Sequence, residues 1–217
     1  VKNQRTTLLL RQIGGLYMME SQFDLAFDVF SRLYIDYYDN VCNNFHYLER
    51  YVNLCLTIGE MEKARFLFNR HFHQYYTHSH ERLTLSAAIT SAKIELLSGN
   101  FHESFQAVQI GEAHINKSSH FHSDMQLRNI KTCFFFFTKQ FDVAISLSKT
   151  NIKFLQSKAS SEEKQMFVDF YKIILACIDQ RSISKPFPKR LEKSYRLFQE
   201  GMFAVYGRIL KNVRYSN

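Results

Sequence analysis

Four short segments of this chain repeat one pattern, in which a bulky apolar residue stands three positions before a small residue. The small residues occupy positions 26, 64, 104 and 144, at intervals of 38, 40 and 40 residues. Self-similarity at such a period is typical of stacked two-helix units, because one unit cannot bury its apolar face without a neighbour. The segments are Phe23-Asp24-Leu25-Ala26, Met61-Glu62-Lys63-Ala64, Phe101-His102-Glu103-Ser104 and Phe141-Asp142-Val143-Ala144.

Apolar residues recur every three or four positions along most of the chain, as they do on one face of a helix. Breaks in this spacing fall at residues 20–22, at Gly59, at 98–100 and at 138–140, and a further helix is expected from about residue 161 to 179. The chain has only 7 Gly and 2 Pro, too few turn residues for many short strands. We therefore expect an all-α fold, with helical hairpins over residues 1–180.

The last part of the chain differs from the rest in composition. Both prolines lie within residues 181–188, which predicts a connection, since proline inside a helix costs roughly 3 kcal/mol. An apolar stripe then runs from Leu191 to Val213, which indicates an amphipathic helix that caps the end of the stack. Residues 181–217 thus form a basic loop and a C-terminal capping helix.

The first unit resembles a tetratricopeptide repeat, a resemblance that extends over roughly residues 5 to 157. Gly14, Tyr17 and Ala26 stand at the signature positions of that family, although the period of this chain is longer than the family's usual period of about 34 residues. The resemblance implies a right-handed α-solenoid of about five antiparallel helix pairs whose first helices line a concave groove. The bulky positions of the family correspond to Leu10, Ile13, Phe23 and Phe30.

The same resemblance implies which residues face the groove and hold a protein or peptide partner. Asn53 stands where an asparagine of the family grips peptide backbone, because a carboxamide donates and accepts hydrogen bonds at once. Gly15 replaces a second expected asparagine and Ile89 is apolar, so a carboxylate clamp is not reproduced. The alternative is that the polar members are solvated helix positions and that Ile89 packs on a neighbouring helix. The expected wall is Arg11, Gly15, Glu49, Asn53, Ile89, Lys93, Asn129 and Cys133.

Two further clusters have alternative interpretations. The run of four phenylalanines at 134–137 is expected in the core, or Phe136 and Phe137 form an aromatic floor for an apolar side chain of the partner. Net charge is +8, but residues 1–180 hold 19 basic and 18 acidic residues, so the excess lies in the C-terminal region. This basic patch is a solvated cap or a contact to nucleic acid. Its residues are Lys185, Lys189, Arg190, Lys193 and Arg196.

Histidines and cysteines do not predict a metal or cofactor site. The cluster His71, His73, His78 and His80 is dense, but its members point to different sides of a helix and no acidic or thiolate ligand completes a tetrahedral set. The cysteines contain no CxxC pair, so we expect buried thiols in a reducing compartment, the cytoplasm. They are Cys42, Cys55, Cys133 and Cys177.

The sequence also contains no GxGxxG, P-loop, GxSxG or HExxH motif, and no uncharged stretch approaches the roughly 18 residues that span a bilayer. We therefore expect a non-enzymatic interaction scaffold without a membrane span, forming part of a larger regulatory or scaffold protein whose upstream segment is missing. Alternatives are a nucleic-acid-associated protein that docks through the basic C-terminal helix, or a peptide-sensing domain of a transcriptional regulator, similar to intracellular pheromone receptors. The oligomeric state stays open.

Overall fold

A computed structural model of the 217-residue chain describes residues 2–72, 81–115, 121–157, 161–183, 187–198 and 204–215. Within these ranges the chain is helical and has no strand, which confirms the all-α class. The helices are α1 Lys2–Met19, α2 Phe23–Asp36, α3 Tyr38–Val41, α4 Phe45–Ile58, α5 Met61–His71, α6 Glu81–Leu97, α7 Phe101–Ala113, α8 Phe121–Phe137, α9 Phe141–Gln156, α10 Glu162–Ile183, α11 Lys189–Leu197 and α12 Ala204–Tyr215.

The four predicted breaks are one turn repeated four times. In each turn one residue has a left-handed backbone, with φ of 60° at Ser21, 96° at Gly59, 81° at Gly99 and 60° at Lys139. The residue directly after the left-handed one donates its backbone N–H to the carbonyl five positions earlier, which is the Schellman arrangement. These bonds are 2.8 Å at Gln22 and 2.9 Å at each of the other three positions, residues 60, 100 and 140.

The recurring small residues lie where the paired helices approach most closely. Ala26, Ala64, Ser104 and Ala144 are all 0% exposed. The Ser104 hydroxyl crosses its hairpin and donates to the carbonyl of Ala92 at 2.9 Å. Such burial of small side chains is what close helix packing requires.

Neighbouring hairpins pack through the first helix of the later hairpin. The hairpins α1–α2, α4–α5, α6–α7 and α8–α9 each contact the next element along the chain, and α4, α6, α8 and α10 contact one another in succession. Aromatic residues seal the first of these interfaces: the Tyr47 hydroxyl donates to the carbonyl of Phe30 at 2.6 Å, and the two rings stack with centroids 5.3 Å apart. A core of buried side chains therefore runs through successive hairpins.

The C-terminal region departs from the sequence prediction in two ways. Helix α10 continues to Ile183, and the expected single C-terminal helix is two helices, α11 and α12, with residues 199–203 outside the described ranges. Helix α12 also does not sit only at the end of the stack, because it contacts α4 and α8 as well as α10 and α11. The predicted terminal cap is thus a helix that lies across earlier hairpins.

In the described ranges, no helix combines the length and the apolar character that crossing a bilayer requires.

Replacing Ala64 with Phe tests the close contact within the second hairpin. We expect Ala64→Phe to lower the free energy of unfolding by several kcal/mol, roughly the cost of a badly overpacked core, because this fully buried position has no room for a ring. Urea denaturation measures the change. Ala113→Phe is the matched control, since Ala113 is exposed at the end of α7. Equal stability of the two variants would contradict the packing described.

Candidate functional site

The first helices of successive hairpins bring together five of the predicted groove residues. We call this surface the inner face: Glu49 and Asn53 on α4, Ile89 and Lys93 on α6, and Asn129 on α8. The structure divides it into a covered half and an open half. Lys93 is 5% exposed and Asn129 is 1% exposed, whereas Glu49 lines an open cavity. Residues expected to meet a partner are therefore partly buried within the chain.

Helix α12 covers one half of the inner face. Its buried side chains follow helical spacing, which gives it one continuous apolar side. The Tyr206 ring is central: its centroid lies 5.6 Å from Lys93 Nζ and 5.7 Å from the centroid of the Phe170 ring on α10. The residues of α12 that are less than 5% exposed are Ala204, Val205, Tyr206, Ile209, Leu210 and Val213.

Arg208 attaches α12 to the C-terminal end of α4. Its Nη1 donates to the carbonyl of Thr57 at 3.4 Å, and its guanidinium lies against Gly59, where an added Cβ would come within 2.6 Å of Nη2. The end of a helix carries partial negative charge and unpaired carbonyls, so a cation there is favourable. Gly59 thus serves two needs at once, the left-handed turn and the space for Arg208.

Lys93 carries a buried ammonium on α6. Its Nζ donates to Asn53 Oδ1 at 3.4 Å and faces the Tyr206 ring, and no carboxylate of the described residues comes within 4 Å. Burial lowers the pKa of Lys93 to about 8, and the more distant charge of Glu49 only partly opposes this effect. The inner face therefore holds a cation under conditions that disfavour its charge.

Asn129 and Tyr206 meet without satisfying each other. Burial raises the pKa of Tyr206 above its usual range, and the neighbouring Asn129 carboxamide only partly opposes this. In the described part of the chain, neither the oxygen nor the nitrogen of that carboxamide, nor the Tyr206 hydroxyl, completes a hydrogen bond of good geometry. The Tyr171 hydroxyl on α10 is buried in the same condition. Such groups each carry a desolvation cost.

The open half of the inner face is a cavity of about 580 Å³ at the N-terminal ends of α4, α6 and α8. The Ser86 hydroxyl donates to Glu49 Oε1 at 2.5 Å across it. Its lining is mixed, because polar and apolar side chains contribute in similar number, and its volume lies within the range of ligand cavities. The lining residues are Phe45, His46, Glu49, Leu83, Leu85, Ser86, Ile89, Phe121, His122, Ser123 and Gln126.

The remaining predicted groove residues lie elsewhere. Arg11 lines a separate cavity of about 380 Å³ with Arg50 and Tyr47. Phe136 is a core residue, 1% exposed, and so does not form the floor of an open groove, because its helix is covered on that side. Phe137 stacks on Phe101 with centroids 5.7 Å apart and borders a cavity beside α12.

The predicted basic patch is an exposed face of α11. Lys189, Arg190, Lys193 and Arg196 are all exposed, while Lys185 lies outside the described residues. The opposite side of α11 is tied to the rest of the fold. Glu192 accepts from Arg214 at 2.8 Å, and the Ser194 hydroxyl donates to Asp169 at 2.6 Å.

The histidine cluster contributes one described residue. His71 is buried on α5, with Nε2 at 3.0 Å from the Tyr34 hydroxyl, and burial lowers its pKa. His73, His78 and His80 lie outside the described residues. Where the structure describes the chain, no group of three or more His, Cys, Asp or Glu side chains is placed to hold a metal ion.

Tyr206, Arg208 and Phe170 belong to the site but were not predicted from the sequence. The apolar stripe of the C-terminal region indicates that α12 docks, but nothing local to it specifies the surface on which it docks. Comparison of the chain with protein-family models, with curated proteins and with solved structures returned no match.

Replacing Lys93 with Met tests the buried charge. Because the folded pKa is lowered, the unfolded chain binds a proton more tightly between about pH 8 and 10.5, so the charge costs stability at pH 7 and progressively less as pH rises through that range. We expect Lys93→Met to stabilise the fold by about 2 kcal/mol at pH 7 and by much less at pH 10. Urea denaturation at both pH values measures this. The exposed Lys149 supplies the control, Lys149→Met, which should show neither effect.

Substitution of two glycines tests the contact between Arg208 and Gly59. Gly59 and Gly99 both have left-handed backbones, but a Cβ at Gly99 would meet no atom within 4 Å. Each Gly→Ala change should cost about 1 kcal/mol for backbone strain, and Gly59→Ala about 1 kcal/mol more, because Arg208 must move. Thermal or urea unfolding measures both. In an Arg208→Ala background the difference should vanish, and its persistence there would show that Arg208 is not its cause.

Proposed function

We propose that this chain is a non-enzymatic protein-interaction module, a right-handed α-solenoid of about five helix pairs that resembles tetratricopeptide repeats. Its role is to hold a peptide or protein segment on the inner face. The four equivalent Schellman turns and the succession of contacts among α4, α6, α8 and α10 support this architecture. A place in the cytoplasm belongs to the same proposal, and it is supported by the burial of the Cys55 and Cys133 thiols.

One observation carries the proposal: an amphipathic helix of the chain itself already lies on the inner face. Helix α12 contacts α4, α8 and α10 through one apolar side, in the manner of a helix bound in a groove. A surface that accepts α12 has the shape and the apolar area that a helical segment needs. The chemistry of that surface is therefore suited to recognising helices.

The open half of the inner face extends this surface beyond α12. Leu85, Ile89 and Phe121 supply apolar walls, and Glu49 and Gln126 supply polar groups at the side of the cavity. A partner segment would place an apolar side chain between those walls and bond its backbone to the polar groups. The cavity of about 580 Å³ has room for one or two such side chains.

A second candidate function is contact with nucleic acid through α11. The observation in its favour is that Lys189, Arg190, Lys193 and Arg196 all lie exposed on a helix of nine residues. Cations on one helix face attract phosphate, and binding of that kind weakens steeply with salt. No aromatic side chain interleaves these residues on the exposed face, so base stacking does not contribute.

A peptide library tests the principal proposal. The full chain is used to select binders from random peptides displayed on phage, and their affinities are measured by fluorescence anisotropy. Gln126→Trp fills the cavity and should weaken the selected peptides by about tenfold or more. Gln109→Trp introduces the same ring on the exposed side of α7 and should leave affinity unchanged.

Binders that tolerate Gln126→Trp as well as Gln109→Trp would contradict recognition at the open half. The α11 alternative has its own readout: a fluorescent oligonucleotide should bind the parent at low salt and lose affinity when Lys189, Arg190 and Lys193 are changed to Glu. Unchanged oligonucleotide binding would exclude that face as the contact.

A further inference from the structure

Helix α12 covers the inner face without matching its polar groups. Lys93 is 5% exposed, and among the described residues its ammonium meets Asn53 Oδ1, at a long 3.4 Å, and the face of the Tyr206 ring. Asn129 is 1% exposed, and within the described ranges neither atom of its carboxamide makes a hydrogen bond of good geometry. These groups converge on Tyr206, so the mismatch is concentrated at one residue of α12.

The missing partner has a definite chemistry. Two of the groups beside Tyr206 are donors, the ammonium of Lys93 and the N–H groups of the Asn129 carboxamide, and α12 offers them an uncharged phenol ring. A carboxylate at this position would accept from Lys93 Nζ and from Asn129 Nδ2 in charge-assisted hydrogen bonds. It would also supply the counter-ion that the buried ammonium lacks.

The shape of the interface also shows incomplete occupancy by α12. A cavity of about 540 Å³ lies between Arg208 and the turn at Ser21–Asp24, and another of about 430 Å³ lies between Lys211 and the ends of α6 and α8. Open space therefore flanks α12 on both sides.

Covalent attachment to the same chain explains how α12 stays on the inner face although it matches the polar groups there poorly. Because α12 belongs to the same chain, its local concentration at the inner face is on the order of millimolar, without any need for tight contacts. A separate helix displaces it only by binding more tightly. The groups that α12 leaves unsatisfied are where that additional affinity is found.

We propose that α12 is an internal occupant of the inner face, which a partner helix displaces by placing an acidic side chain where Tyr206 now lies. The partner is an amphipathic helix with the apolar spacing of Ile209, Leu210 and Val213 and with Asp or Glu one turn before it. This inference rests on the proposed function and adds to it both the class of ligand and an autoinhibited state.

The first test adds the carboxylate within the chain. Tyr206→Glu and Tyr206→Gln remove the same ring and have nearly the same shape, so their difference reports the charge. We expect Tyr206→Glu to melt at least about 3 °C above Tyr206→Gln at pH 7, and we expect this difference to disappear when both are combined with Lys93→Met. No difference in the parent background, or one that survives Lys93→Met, would overturn the inference.

The second test adds the carboxylate on a separate helix and uses the unaltered chain, so it does not depend on a variant that folds. Two fluorescein-labelled peptides with the sequence of residues 204–215 carry Glu or Gln in place of Tyr206. The Glu peptide should bind at least about tenfold more tightly than the Gln peptide, and Lys93→Met should abolish this preference. Failure of the Glu peptide to bind at about 1 mM, or equal affinities, would overturn the inference.

Displacement has its own readout. With the chain labelled with ¹⁵N and the peptide unlabelled, the amide signals of residues 204–215 should move toward unfolded positions as the Glu peptide is added. Signals that stay fixed while the peptide binds would show that α12 is a permanent part of the fold. If the library peptides still lose affinity in the Gln126→Trp variant, the proposed function stands and only the inference about α12 is overturned.

Discussion

The structure depends on the close contact between the two helices of each hairpin at a residue with a small side chain. Ala26, Ala64, Ser104 and Ala144 are fully buried, and each stands five residues after a left-handed residue that ends the preceding helix. The Schellman turn sets the direction in which the second helix leaves, and the small side chain allows that helix to pack against the first. Because both devices recur with the same spacing, the hairpins are equivalent, and equivalent hairpins place their first helices side by side.

The inner face is a consequence of this repetition. Residues at corresponding positions of α4 and α6, such as Asn53 and Lys93, come together because their helices run alongside each other, not because any local motif joins them. The same arrangement leaves a surface with apolar area, which α12 then covers. Covering it removes water from Lys93 and Asn129, and this costs free energy, since the described residues pair these groups only poorly. The free energy that holds α12 on the inner face thus comes from the burial of side chains such as Tyr206, Ile209 and Leu210. The desolvation of Lys93 and Asn129 opposes it.

Much of the fold could be predicted from the sequence, and less of the site. The breaks at Gly59 and at residues 98–100 carry local signals, because glycine takes a left-handed backbone without strain. At Ser21 and Lys139 the same conformation occurs without glycine, so only the repeat itself pointed to those turns. The sequence places Asn53, Lys93 and Asn129 on the first helices of successive hairpins, but it does not show that Lys93 and Asn129 are buried. Exposure depends on what lies above a residue, and α12 is separated from α4 by more than a hundred positions of sequence.

The sequence by itself determined the local elements: helices with one apolar side, small residues at fixed intervals and a basic face on α11. These follow from interactions between residues a few positions apart, which the order of amino acids specifies directly. Only the tertiary structure decided that the last helix lies on the first helices of earlier hairpins and not simply at the end of the stack. An apolar stripe does not specify its binding surface, since burial of apolar area is not directional. The surface on which α12 docks is therefore selected by the shape of the assembled helices and by the carbonyl at the end of α4 that accepts from Arg208.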